Sequence, residues 1–366
     1  MMKVQDITSL LEKLAPLSLQ ENYDNAGLLT GNLHDECTGV LVALDVTEPV
    51  IMEAVEKKCN LVVAHHPVIF SGLKRITGSS YVEKTIIAAI KNDVAIYAIH
   101  TNLDNVLHGV NEKIADVLGL INRQALLPKQ QTLKKLSTFV PVTHAGQVRN
   151  ALFAAGGGNI GNYSECSFSS SGEGTYKAGD GAHPYTGNIG ERHTEPELKI
   201  EVIVPAWLEK QVVKAMKDAH PYEEVAYDMI ALDNTHAHIG SGLTGYLPEA
   251  MTEADLLARV KEGFGLKMLK HTRLRGKPVK KVALCGGAGS FLTKTAIAAG
   301  ADFYISADFK YHEYFDANDR IVIADIGHYE SEQFTIGLLS EFLQEKFPTF
   351  AVLKTGVDTN PVKVWS

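Results

Sequence analysis

The chain reads as an α/β protein: two α/β lobes with mainly parallel sheets, plus an inserted ferredoxin-like α+β domain. Three observations predict this. Short apolar runs alternate with amphipathic helical stretches, the rhythm of β-α-β crossovers. That rhythm breaks near Pro128 and resumes at about residue 239. Within the break, two β-α-β-like halves flank a polar, Gly/Ser-rich middle, the pattern of a ferredoxin-like module. The expected domains are therefore 1–128 (lobe 1), 129–238 (insert) and 239–366 (lobe 2).

Taken in order, Asp6 can cap a first helix that carries Ile7, Leu10, Leu11 and Leu14 at helical spacing and ends near Pro16. Tyr23-Asp24-Asn25-Ala26-Gly27 is a polar turn. Residues 39–45 form a buried strand, Thr47 can cap the next helix, and Pro49 suits its first turn. The strand Leu61-Val62-Val63-Ala64 then delivers His65-His66-Pro67, since proline cannot continue a ladder. A helix over 81–91 leads to a strand over 94–99, which ends at His100-Thr101-Asn102-Leu103-Asp104, and a helix over 110–118 closes the lobe. In the insert, strands are expected at 136–142, 198–204 and 225–232, with helices at 145–155 and 206–219. Residues 164–195 have no long apolar period and read as an exposed hairpin or a mobile loop. Lobe 2 has a helix over 253–264 and a strand over 279–284 opening into Cys285-Gly286-Gly287-Ala288-Gly289-Ser290. Its strands over 302–306 and 321–324 end at Asp308 and at Asp325-Ile326-Gly327-His328. A long amphipathic helix with Phe334, Leu338, Phe342 and Leu343 on its apolar side follows.

Composition bounds the partners. With 366 residues the chain is too long for one ordinary core. A net charge of -8, from 43 acidic against 35 basic residues without a basic block, disfavours nucleic acid and anionic membranes. No apolar run is long enough for a bilayer span and no secretory h-region is visible. Cys37, Cys59, Cys166 and Cys285 form no C-x-x-C pair, which points to a reducing, cytoplasmic setting.

Three strand ends offer metal-competent side chains: His65 and His66, then His100 and Asp104, then His328 and Glu332. Imidazole and carboxylate without thiolate suit zinc, iron, manganese, cobalt or nickel at an accessible site. Four-residue spacing places His328 and Glu332 on one helical face, and His100 and Asp104 are spaced alike. Six donors exceed the three that one catalytic zinc takes, so two divalent ions, zinc foremost, with Glu332 bridging, fit the set. Simpler readings stand beside this one. Asp104 can cap a turn, Glu332 suits a first helical turn, and His100 can orient a ligand instead of binding. The Gly286–Ser290 loop can cradle a phosphate or make a tight turn; Leu292 stands where a dinucleotide fingerprint has its third glycine. His220-Pro221-Tyr222-Glu223-Glu224 reads as a strand entry with solvated carboxylates. No G-x-S-x-G elbow is present.

At His65-His66-Pro67, His100-Thr101-Asn102-Leu103-Asp104 and Gly327-His328 with Glu332, the sequence resembles the NGG-interacting-factor-like family, whose members are often labelled GTP cyclohydrolase I type 2 homologues. Tyr23-Asp24-Asn25-Ala26-Gly27-Leu28 and Asp308-Phe309-Lys310-Tyr311-His312 extend the resemblance, with Ala307 where many members have glycine. It implies a dinuclear metal site at His65, His66, Asp104, His328 and Glu332, with His100 and His312 nearby as candidate catalytic proton carriers. It also implies a homohexameric ring enclosing the metal centres, and a PII/CutA-like insert ending in His220-Pro221-Tyr222-Glu223-Glu224-Val225. The label implies opening of the guanine imidazole ring with release of formate. Two functions follow as expectations: a metal-dependent hydrolase of a nucleotide or similar small molecule, or a non-catalytic metal-handling or regulatory ring protein whose insert binds an effector or partner.

Overall fold

In the computed structural model, which describes residues 1–365, the chain forms two compact units: residues 1–128 with 238 onward, and residues 129–237. The first opens with α1 (Val4–Leu14), β1 (Gly27–Thr30), β2 (Val40–Ala43), α2 (Glu48–Glu56), β3 (Leu61–Ala64), α3 (Tyr81–Lys91), β4 (Ala95–Ala98), α4 (Thr101–Asp104), α5 (Val110–Leu118) and β5 (Ile121–Pro128). Every residue of β2, β3 and β4 is buried. Apolar runs without a polar face form where both sides of a parallel sheet are covered. Here Val50, Ile51 and Ala54 of α2 and Ile86 and Ala89 of α3 belong to one core with Leu41, Val62 and Ile96. The first helix starts earlier than its sequence suggests. Asp6 lies inside its first turn, and its carboxylate accepts the Lys3 N–H at 2.8 Å.

The second unit contains β6 (Leu133–Pro141), α6 (Ala145–Ala154), β7 (Phe168–Lys177), β8 (Arg192–Pro205), α7 (Glu209–Ala219) and β9 (Tyr227–Ala231). Its sheet has the order β7-β8-β6-β9, with every neighbouring pair antiparallel. Val148 and Leu152 of α6 and Val212 and Met216 of α7 bury against Leu136, Val140, Ile200 and Val202. Part of the polar stretch between the two halves is β7, paired along its length with β8.

The first unit resumes with β10 (Gly240–Met251), α8 (Glu253–Gly263), β11 (Lys270–His271), β12 (Val279–Ala288), α9 (Thr293–Ala298), β13 (Phe303–Ala307), β14 (Val322–Asp325), α10 (His328–Glu332), α11 (Thr335–Lys346) and β15 (Val352–Lys354). Two sheets result, ordered β1-β4-β3-β2-β15 and β11-β14-β13-β12-β10-β5. The first is mainly parallel, as expected. The second corrects the expectation: β12, β13 and β14 run parallel, but β11, β10 and β5 join antiparallel. For β5 and β10 the reason is connectivity: the insert returns the chain at Gly240 opposite Pro128, so the two strands run in opposite senses. Gly240, Gly242 and Gly245 hide β10 from a search for apolar runs, and Gly242 uses a φ of +65°. The lobes also exchange strands. β5 comes from the first 128 residues yet ends the second sheet, while β15, close to the C-terminus, extends the first sheet beside β2. Among the described residues no helix is long and apolar enough to cross a membrane, and all four cysteines are free thiols.

The insert enters and leaves the first unit at the paired residues Pro128 and Gly240. Excising residues 129–237 and joining the arms through a short glycine-containing turn is therefore expected to leave a folded first unit. Circular dichroism and a single cooperative melt check this; a molten product would contradict it.

Candidate metal centre

The parallel strands of both sheets direct their C-terminal ends to one cleft. His65 and His66 follow β3, His100 follows β4, and Asp104 ends α4. Past β14, Gly327 turns with a φ of +90° and α10 carries His328 and Glu332 one turn apart. The six side chains meet. Ligating atoms of His65, Asp104 and Glu332 lie within 4.8 Å of one another, as do those of His66, His328 and Glu332, and those of His65, His66 and His100.

Each imidazole is held by its outer nitrogen. His65 Nδ1 donates to the Ile99 carbonyl at 2.9 Å, His66 Nδ1 to Asp45 at 2.8 Å, His100 Nδ1 to Asp24 at 2.7 Å and His328 Nδ1 to Asp308 at 2.7 Å. An Nδ1–H committed outward leaves Nε2 to face the cleft, the arrangement that orients metal-binding histidines. Sequence reasoning had missed Asp45 and the orienting roles of Asp24 and Asp308. The available signal was position: Asp45 stands two residues past β2, and Asp308 directly follows β13. Asp308 adopts a φ of +58°, so the left-handed turn falls on it and not on Ala307 before it.

Glu332 is the centre of this arrangement, with a side chain only 3% exposed. Its Oε2 lies 2.9 Å from His66 Nε2 and 3.1 Å from His328 Nε2, while Oε1 lies 3.8 Å from His65 Nε2. The two Nε2 atoms of His66 and His328 are themselves 3.3 Å apart. Such a close pair requires a proton or a cation between its lone pairs. Burial lowers His66 and His328, but their carboxylate partners outweigh it and bring the imidazoles to about 9 and about 11. Burial alone would raise Glu332; hydrogen bonds from the histidines hold it well below the carboxylate range. Asp104 moves oppositely, raised by burial and by the charge of Glu332. Asp24 is also pushed up by burial, yet bonds from His100 and Thr101 bring it to about 2.

Fit to a metal rests on two orphan atoms. His65 Nε2 and Asp104 Oδ1 are buried without a hydrogen-bond partner and stand 3.6 Å apart. Unpaired buried polar atoms are costly, and a cation held by both would satisfy them. Cys285 also lines the cleft, but burial, then Asp104 and Glu332, push its thiol up, away from the thiolate a nucleophile needs. The glycine loop makes room for Glu332. A Cβ at Gly287, whose φ is +61°, would overlap Glu332 Oε1. Its backbone is already engaged: Gly286 N–H donates to Asn111, Gly287 N–H to Ser331, and Ser306 donates to the Gly287 carbonyl. No free amide cradle for a phosphate is left at these two glycines.

His312 lies elsewhere. It is exposed on a 3-10 turn, stacked on Phe315 with ring centroids 6.2 Å apart, and is not among the residues lining the cleft. The Asp308 to His312 run leaves β13 before β14 begins, and only its first residue reaches the histidines.

The cleft encloses about 950 Å³. Tyr23, Phe70, Tyr81 and Phe291, each more than half exposed, stand around it, and among the described residues Lys270 is its only lining lysine or arginine. Fold and site together define an α/β protein with a partly buried histidine and carboxylate cluster able to hold a metal ion. The Duf34/NIF3 (NGG1p interacting factor 3) family model matches residues 2–361, and the chain belongs to that family. A Halalkalibacterium halodurans protein named GTP cyclohydrolase 1 type 2 homolog is 41% identical over 362 residues, covering 98% of this chain and 97% of its own. A Bacillus cereus protein described as related to NIF3 superposes with a TM-score of 0.87 at 40% identity, over 99% of both chains. A Staphylococcus aureus structure gives 0.77 at 29% identity, over 100% of this chain and 99% of that one.

Gly287→Ala is expected to displace the Glu332 carboxylate and to cost about 2 kcal/mol or more, from the overlap and the left-handed backbone together. A thermal melt and elemental analysis of the purified variant check this. An unchanged melting temperature with unchanged metal content would contradict it.

Proposed function

We propose that this protein is a dinuclear metal protein acting as a metal-dependent hydrolase on a nucleotide or similar small substrate. The observation that carries this reading is the division of Glu332: Oε1 faces His65 and Oε2 faces His66 and His328. Glu332 also belongs to two of the three donor groups, one containing Asp104 and His65, the other His66 and His328. His65 and Asp104 would hold one divalent cation, His66 and His328 the other, with Glu332 bridging. Zinc is the first candidate, and iron, manganese, cobalt and nickel accept the same donors. When bound, such a pair supplies Lewis-acid polarisation and lowers the pKa of water.

The chain's own contribution is orientation and proton handling. Asp24, Asp45 and Asp308 hold three imidazoles in place. His100, fixed at Nδ1 by Asp24, sits beside the His65 and His66 rings with centroids 5.3 and 5.4 Å away and takes or returns a proton at Nε2. Exposed aromatic rings around the cleft suit a planar heterocycle. The relatives' name brings guanine ring opening forward as the first activity to assay.

The same reading includes the insert and the assembly. Its β-α-β-β-α-β order with sheet order β7-β8-β6-β9 supports a ferredoxin-like, PII/CutA-like module. The family resemblance supports a homohexameric ring in the cytoplasm.

The test is elemental analysis and a GTP ring-opening assay on one preparation. Wild type is expected to carry two ions per chain, Glu332→Ala none with turnover abolished, and His328→Ala about one. Glu332→Ala with undiminished metal would refute the bridge. Full metal occupancy without turnover on a nucleotide panel would refute the hydrolase.

A further inference from the structure

The His220-Pro221-Tyr222-Glu223-Glu224 turn takes no part in the metal centre. It joins α7 to β9 and walls a cavity of about 710 Å³ inside the insert, opposite residues of β7 and β8. Three phenol rings meet there. Tyr176 and Tyr222 are edge to face with centroids 5.9 Å apart, and Tyr185 lies 6.4 Å from Tyr222. Tyr185 is 52% exposed and stands at the opening.

The same cavity holds a buried acid. Glu197, 8% exposed, accepts the Tyr222 hydroxyl at 2.9 Å, and a Cβ on Gly174 would overlap its carboxylate, so the glycine clears its space. Among the described residues, no lysine, arginine or histidine forms an ion pair with it. Nearby basic side chains are committed elsewhere: Lys199 pairs with Glu201 at 3.1 Å and His193 hydrogen-bonds Glu195 at 3.0 Å. His220 is neutral by its bonding, since Nδ1 accepts the Tyr222 N–H at 3.1 Å and Nε2 must then donate to the Phe139 carbonyl at 2.9 Å. Glu223 and Glu224 add negative charge to the wall, partly offset by Lys177. Glu223 also accepts the His183 N–H at 2.7 Å, tying the loop after β7 to the motif.

We propose that this cavity binds a small organic cation, an alkylammonium or quaternary ammonium ion, on the faces of Tyr176, Tyr185 and Tyr222 with Glu197 as its counter-charge. Aromatic faces carry the negative end of the ring quadrupole and recognise such cations, the more strongly where water is excluded. A buried carboxylate without a cation is costly, and the ligand would remove that cost. A hard divalent ion asks for six or so oxygens at short range, which one buried carboxylate and phenols do not provide. Phosphate would meet acid at the wall.

The test is calorimetric titration of the full chain with choline, with its neutral carbon isostere 3,3-dimethylbutan-1-ol, and with inorganic phosphate. Choline is expected to bind saturably and at least about tenfold more tightly than the isostere, with phosphate silent. Glu197→Gln is expected to weaken choline about tenfold. Tyr185→Leu, at a half-exposed position that folding tolerates, is expected to weaken it severalfold, with metal content unchanged. Equal affinity for the isostere, binding of phosphate in place of choline, or no saturable choline signal up to roughly 10 mM would overturn the proposal.

Discussion

A single buried carboxylate organises the first unit. Glu332 is almost wholly removed from water, and an anion there is tolerated only with partners close on both oxygens. His66 and His328 bond Oε2 while His65 stands 3.8 Å from Oε1, and each imidazole needs its far nitrogen satisfied in turn. Two aspartates, Asp45 and Asp308, and the Ile99 carbonyl do so from strand ends and turns spread over both sheets. The left-handed turn at Asp308, the missing side chain at Gly287 and the short helix α10 are local consequences of that one requirement.

The sequence made the donors visible where chemistry and spacing were local. His65 and His66 stand out because an apolar strand precedes them and a proline follows. His100 with Asp104, and His328 with Glu332, stand out because four residues make one helical turn. The orienting aspartates were harder to read, since nothing near Asp45 in the chain indicates His66, 21 residues on. The glycine loop was ambiguous for the opposite reason. Its composition matches an anion cradle, while its actual role depends on a glutamate 45 positions away. Strand membership followed the same division. Fully apolar β2, β3 and β4 were legible, but glycine-rich β10 and the two-residue β11 declare themselves only through partners.

The cleft's charges bear on the family label. Its charged lining, histidines aside, is mostly carboxylate, including Glu21, Asp45, Asp308, Asp325 and Glu330, with Lys270 as the sole lysine or arginine among the described residues. A polyanionic substrate would depend on bound cations for its affinity, whereas a heterocyclic ring finds aromatic surfaces independent of them. The insert's cavity has a different character, with phenols around one buried acid. The two units therefore offer separate recognition chemistries on one chain.

The reciprocal placement of β5 and β15 has a mechanical meaning. Because each half of the chain lends a strand to the other half's sheet, the lobes are clasped at both ends, and prising them apart would unzip hydrogen-bonded ladders before it widened the gap. Donors separated by 267 positions of sequence thus acquire the fixed spacing of near neighbours. A cleft so braced keeps the separations of its side chains, where a hinged one would change them on opening and closing.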